Sequence, residues 1–402
     1  MRKRTPYICE PLEREDYTVQ PTADVSPPKW HLGHSTWFFE NFILAQYHSA
    51  YRLFDERLNW FFNSYYESQG PRILRSSRGN MTRPTVDTIM AYRKYVDAAM
   101  VDLLGEGRDE VTQLTELGLH HEQQHQELLI CDIKYILGTN PLYPVYRNHT
   151  RAPQADVPLT YHEVNGGTYQ VGYTGNAFSW DNERSAHEVL VAPFALASRL
   201  VTNAEYLDFM QDGGYDRFEL WQMDGIGWAR ELETKAPLYW YPADDGWKYY
   251  TLDRGLIALE PNEPVTHLSW YEADAYARWA GARLATEFEW EIACRNRHAM
   301  VPSDGNWMDS DRYHPRAAEN VDDDQLLGHV WEWTNSAYLP YPRYPRPEGA
   351  LGEYNGKFMI NQMVLKGGSC ATPASHMRIS YRNFFQPDKR WQFTGIRLAK
   401  DL

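Results

Sequence analysis

Two histidines four residues apart, His121 and His125 in TELGLHHEQQHQELLICDI, are the side chains here best spaced to do chemistry. On a helix that spacing sends both imidazoles from one face. Leu114, Leu117, Gly118, Leu128 and Leu129 extend the same stripe, the side a helix buries, and Asp132 marks where it gives out. Buried imidazoles need partners, and a shared metal ion suits this spacing best, ahead of separate hydrogen bonds to a pair of core histidines. His-Glu-x-x-His at 121–125 also matches a zinc-protease motif. Its extended form wants Gly and His where this chain has Leu128 and Cys131, so the protease reading is set aside.

The elements that position the pair read as a helix bundle. Ser26-Pro27-Pro28 resembles a helix start, with a capping serine and a proline in the first turn. KWHLGHSTWFFENFILAQYH (29–48) follows, with Trp30, His34, Trp37, Phe38 and Phe42 on one apolar face and His31 a fraction of a turn away. A second helix is expected over 51–67, with Phe54, Leu58, Phe61, Phe62 and Tyr65 on its stripe. Gly70-Pro71 ends it, and Arg72, Arg75, Arg78 and Arg83 crowd the next loop. A third helix, starting near Pro84, buries Val86, Ile89, Val96, Met100 and Leu103; the His121/His125 helix is the fourth. Residues 1–25 read as irregular. Bundle cores are a usual place for a metal, and His34 is the candidate third ligand. Three neutral histidines leave positions open for substrate and for O2 or water, with iron and zinc both possible.

Beyond Gly138 the character changes. Pro141, Pro144, Pro153 and Pro158 punctuate a linker, and a domain boundary is placed near 150, giving domains 1–150 and 151–402. Helices are expected over 203–211, 270–281 and 287–295 among short strands and long loops, an α+β domain. With 40 basic and 54 acidic residues the net charge is −14, which argues against a nucleic-acid backbone as partner. No apolar run spans a bilayer, and the N-terminus lacks a signal-peptide core. Cys9, Cys131, Cys294 and Cys370 are scattered, as expected of reduced thiols in a cytoplasm. The charge fits a soluble monomer, and nothing in the sequence identifies an interface.

WHLGH (30–34), NSYYE (63–67) and HEQQHQELL (121–129) resemble the DinB-like half of the ergothioneine-pathway sulfoxide synthases. PFALASRLVTNAEYLDFMQDGGY (193–215), PVTHLSWYEADAYARWAGARLATEFEWEIA (264–293), GHVWEWTNS (328–336), LKGGSC (365–370) and RNFFQPDKRWQFTGIRLA (382–399) resemble the formylglycine-generating-enzyme fold, a C-type-lectin relative. The resemblance implies a DinB-like four-helix bundle followed by that fold. It implies a non-haem Fe(II) enzyme that joins cysteine sulfur to the imidazole C2 of hercynine and oxidises the sulfur with O2. His34, His121 and His125 would then hold the iron.

The same resemblance puts the Tyr65-Tyr66 pair where the cysteine-using members have their catalytic tyrosines; Tyr65 is preferred because it faces the bundle by spacing. Arg75 and Arg78 would fork onto the carboxylate of the amino-acid substrate, although without the family match they read as a solvated basic loop. Gln124 would bond the substrate, and Asn383 and Phe384 would contact hercynine, whose trimethylammonium favours aromatic faces. The active site is expected between the two domains. Members using γ-glutamylcysteine carry Asp and Arg where this chain has Phe385 and Lys389, so free cysteine is the expected donor. Selenoneine-type and ovothiol-type synthases share the architecture and stand as alternatives, and a non-catalytic DinB-like metal or thiol stress protein is the reading of a different class. Formylglycine chemistry needs a second cysteine near Cys370, and none follows it.

Overall fold

The computed structural model describes residues 1–64, 66, 70–151, 154–345 and 355–402. It divides into two compact units, one built on Met1–Arg147 and the other on Asn148–Arg346 with Tyr354–Leu402.

The first unit is helical: α1 (Arg4–Cys9), α2 (Pro28–Phe39), α3 (Ala45–Tyr47), α4 (Leu58–Phe61), α5 (Val86–Leu104) and α6 (Asp109–Gly138). Helix α2 packs against both α5 and α6. It is buried all round rather than on one face, and burial continues through the π-helical turn Glu40–Leu44 that joins it to α3. Its polar groups are therefore satisfied locally. Ser35 and Thr36 donate to the carbonyls of His31 and Leu32 at 2.9 and 2.8 Å. The Glu40 carboxylate accepts from Tyr51 Oη and Tyr92 Oη, both at 2.6 Å, and from the Phe54 amide at 3.0 Å. Helix α6 starts with Asp109 and Glu110, which suit the positive end of its dipole.

Three expectations for this unit need correction. Ser26 does not cap α2: Pro27 is the N-cap, Pro28 opens the helix, and the Ser26 hydroxyl accepts from Arg78 at 2.8 Å. Among the described residues of the helix expected over 51–67, only the single turn α4 is α-helical. Aromatic and Asn residues are poor helix formers, and here the rings find separate partners: Phe54 on Tyr92 and Tyr95, Tyr51 on Tyr95. Finally, the supposedly irregular N-terminus contains α1, whose Thr5, Ile8 and Cys9 are buried. Six residues are too few to show a helical period.

The second unit is rich in strands. In chain order these are β1 (Tyr161–Val164), β2 (Gly167–Val171), β3 (His187–Val191), β4 (Phe194–Ala197), β5 (Trp240–Ala243), β6 (Gly246–Thr251), β7 (Gly255–Ala258), β8 (Arg283–Leu284), β9 (Trp331–Ala337), β10 (Met363–Lys366), β11 (Asn383–Phe385), β12 (Thr394–Gly395) and β13 (Leu398–Asp401). One sheet runs β1-β4-β13-β8, a second β11-β10-β9-β12, with the hairpin β2-β3 and the meander β5-β6-β7 beside them. The helices are α7 (Asn203–Gln211), α8 (Met223–Glu231), α9 (Trp270–Trp279) and α10 (Glu287–Arg297). Capping boxes Thr202/Glu205, Ser269/Glu272 and Thr286/Glu289 open three of them. Helix α8 escaped the sequence reading because two glycines interrupt its pattern.

All four cysteines are buried and none is in a disulfide; burial pushes the Cys9 thiol up to about 12. Among the described residues no helix is long and apolar enough to cross a membrane.

Candidate metal centre

Helices α2 and α6 bring His34, His121 and His125 together, with one ring nitrogen from each lying within 4.8 Å of the others. The ring centroids are 4.7 Å apart for His34–His125 and His121–His125, and 5.1 Å for His34–His121. Gly118 lets the helices close at this level: a β-carbon there would sit 2.9 Å from the Phe39 ring and 3.0 Å from that of Phe38. Phe38 in turn packs on His121 at 4.7 Å.

His34 is the most constrained of the three. Its Nδ1 donates to the Phe62 carbonyl at 2.7 Å, which leaves the lone pair on Nε2, a fully buried atom without a hydrogen-bond partner. Its ring is sandwiched between Trp30 at 4.5 Å and Trp37 at 5.5 Å, and the Arg78 guanidinium covers the Trp30 ring. Gly33 makes room for this arrangement, since a β-carbon there would fall 2.2 Å from the Phe62 ring. His125 is oriented from behind by His31, Nδ1 to Nδ1 at 3.0 Å, and His31 Nε2 reaches Asp132 at 2.8 Å.

Burial, reinforced by the neighbouring imidazoles, holds His34 and His125 well below the ordinary histidine range; burial takes His121 down to about 4. All three are therefore neutral at physiological pH and present nitrogen lone pairs. An orphaned, buried His34 Nε2 beside two further neutral imidazoles fits a divalent transition metal. Glu122 serves this centre in no direct way. Burial alone would raise its carboxyl, but Arg2 and Arg93 hold it below the usual carboxylate range. It is bound to both arginines and accepts from Thr5 Oγ1 at 2.5 Å, so the protease-like role for this glutamate has no support.

The remaining expected residues fall in different places. Tyr65 lies outside the described residues. Tyr66 is buried, with its ring 5.8 Å from Trp37 and 5.2 Å from Phe42, and Asn63 clasps its backbone through both amide atoms. Arg75 and Arg78 sit three apart on the 3-10 turn Arg75–Asn80; Arg75 is exposed, while Arg78 is buried between Ser26 and Ser64 hydroxyls at 2.8 and 2.9 Å. Gln124 is half-buried on α6 beside His125. Asn383 and Phe384 belong to the second unit on β11, where Phe384 stacks on Tyr338 at 4.0 Å. Asp132, where the apolar stripe of α6 gives out, is nonetheless 1% exposed and bonded to His31.

The sequence reading gave His31, Asp132 and Phe62 no part in the site. The first two carried a signal: His31 precedes His34 by three and Asp132 follows His125 by seven, both same-face spacings. A carbonyl such as that of Phe62 carries none.

Residues 1–129 match the DinB superfamily, and residues 149–402 match the sulfatase-modifying factor enzyme 1-like domain. Hercynine oxygenase of Mycolicibacterium smegmatis is 32% identical over 366 residues, covering 82% of this chain and 81% of its own. Hercynine oxygenase of Mycobacterium tuberculosis is 32% identical over 360 residues, with coverages of 82% and 81%. Ergothioneine biosynthesis protein 1 of Schizosaccharomyces pombe is 29% identical over 233 residues, covering 56% of this chain and 28% of that one.

Proposed function

Because the chain belongs to the family of ergothioneine-biosynthesis sulfoxide synthases, we propose that it is an iron(II)- and O2-dependent enzyme joining L-cysteine to hercynine. The new bond links cysteine sulfur to imidazole C2, and the product is hercynylcysteine sulfoxide. One O2 balances the change: the C2–H and S–H bonds are lost, one oxygen atom ends on sulfur, and the other leaves as water.

The observation that carries this reading is the neutral cluster of His34, His121 and His125. Iron(II) held there would supply the reducing electrons that O2 activation needs, at positions the three imidazoles leave open. The protein's own groups do the rest. Phe62, Trp30 and Trp37 fix the His34 ring so that no reorganisation accompanies binding. Arg75 and Arg78 lie three apart on a 3-10 turn, Arg75 exposed and Arg78 buried. There they take the cysteine carboxylate, with Ser26 and Ser64 holding the Arg78 fork in one orientation. Tyr65 or Tyr66 delivers a proton or hydrogen bond at the oxygen being reduced. Gln124 bonds substrate next to His125, and Asn383 and Phe384 receive hercynine, an aromatic face suiting its trimethylammonium. Phe385, which packs edge-on against Trp391, offers no charge to a glutamyl ammonium, and this favours free cysteine over γ-glutamylcysteine.

Mass spectrometry of the aerobic, Fe(II)-loaded protein with hercynine tests the reading, with cysteine and γ-glutamylcysteine offered in parallel. Sulfoxide from cysteine alone is expected, with His34→Ala giving neither product nor bound iron. Failure of both donors removes the proposed activity, and makes selenosugar and histidine the next substrates to offer. Phe385→Asp is expected to admit γ-glutamylcysteine; no change would count against the donor argument.

A further inference from the structure

Behind the histidine cluster a ladder of hydrogen bonds starts from a group of fixed polarity. The Ser26 amide donates to Asp132 Oδ2 at 2.9 Å, and a backbone N–H can play no other part. The same oxygen lies 2.8 Å from His31 Nε2, so that nitrogen carries a proton. In a neutral imidazole the other nitrogen is then an acceptor. His31 Nδ1 faces His125 Nδ1 at 3.0 Å, and one proton must lie between them. It comes from His125. The lone pair of His125 is thereby left on Nε2. Ser26, His31 and Asp132 are 1%, 2% and 1% exposed, so water does not compete for these bonds.

Resting on the metal reading above, we propose that His31 and Asp132 are positioning residues that lock His125 in its metal-ready tautomer. The ladder also crosses between helices, because His31 rides on α2 while Asp132 and His125 ride on α6. It thus sets ring orientation and proton position together, as the Phe62 carbonyl does for His34. Ser26 supplies the fixed end through its backbone, which no substitution of its side chain removes.

Cobalt(II) binding to the metal-free full chain tests this, read by visible d–d absorption and by competition with a chelating indicator. His31→Phe and Asp132→Leu are expected to weaken binding about 10–100-fold and to alter the band pattern. Asp132→Asn keeps an oxygen that accepts from both Ser26 and His31, so its affinity should stay within a few-fold of wild type. Equal affinity of wild type and His31→Phe overturns the proposal, as does a loss in Asp132→Asn as large as in Asp132→Leu. Wild type that takes up no cobalt overturns the metal reading instead. Where a variant fails to fold by circular dichroism, nitrogen-15 histidine spectra of the metal-free wild type decide the matter. A proton on His125 Nδ1 is expected, and a proton on Nε2 overturns the proposal.

Discussion

Gly33 and His34 are neighbours in the chain with one task. The missing β-carbon of Gly33 admits the Phe62 ring, and the Phe62 carbonyl then takes the proton of His34 Nδ1. Gly33→Ala places a methyl 2.2 Å from that buried ring, too close for either to stay. The expected cost is about 1–3 kcal/mol of stability, with reduced metal uptake because Phe62 carries the His34 acceptor away. Urea unfolding and metal analysis read both effects. An alanine variant with wild-type stability and metal uptake would show that Phe62 has room to move without disturbing the ligand. Trp30 and Trp37 act at the same scale, confining the ring by stacking where the hydrogen bond confines its rotation.

At the scale of elements, α2 is a polar-bearing helix with no solvent face, so each of its charges and those facing it must be neutralised inside the bundle. Glu40, in the π-helical turn that continues α2, is satisfied by two phenols and an amide, and Glu122 by Arg2, Arg93 and Thr5. Here α1 has its purpose: it brings Thr5 to a buried carboxylate on α6. Arg93→Met leaves Glu122 short of its more buried arginine and is expected to cost about 3–5 kcal/mol. Adding Glu122→Met should recover part of that loss, because the stranded charge is gone. Denaturant midpoints of both single variants and the double variant check this; strict additivity of the two substitutions would mean that the pair is not coupled. The helix expected over 51–67 fails for a related reason. Its aromatic spacing satisfies a helical stripe on paper, yet Tyr51 and Phe54 pack singly against α5, and among the described residues of the stretch only Leu58–Phe61 is α-helical.

Across the whole molecule, both units bury neutral histidines. Burial holds His31, His34, His121 and His125 below their ordinary range in the first; in the second it does the same for His314 and takes His329 to about 3. The unfolded chain takes up protons below about pH 6.5, where these folded imidazoles do not, so stability falls as pH falls through that window. Asp253, kept at about 2 against its burial by its ion pair with Arg151, adds a second loss below about pH 4. Urea unfolding of the metal-free protein should therefore be nearly flat from about pH 7 to 8 and weaken steadily below about pH 6.5. An unchanged midpoint at about pH 5 would contradict the buried, neutral state of these rings.

How much of this was legible in the chain follows the range of the forces involved. Helix α6, with His121 and His125 on one side, and α7, α9 and α10 with their capping boxes are local: a few residues carry the period, the cap and the stop. The two-part architecture was legible too, because each half carries its own motifs in fixed order. The tertiary structure decided what depends on neighbours distant in sequence. It turned Glu122 onto Arg2 and Arg93, brought Asp132 inside to meet His31, and set the Phe62 carbonyl against His34 across 28 residues. A side chain's type and spacing say which way it leaves its own element; only packing says which atom waits there to receive it.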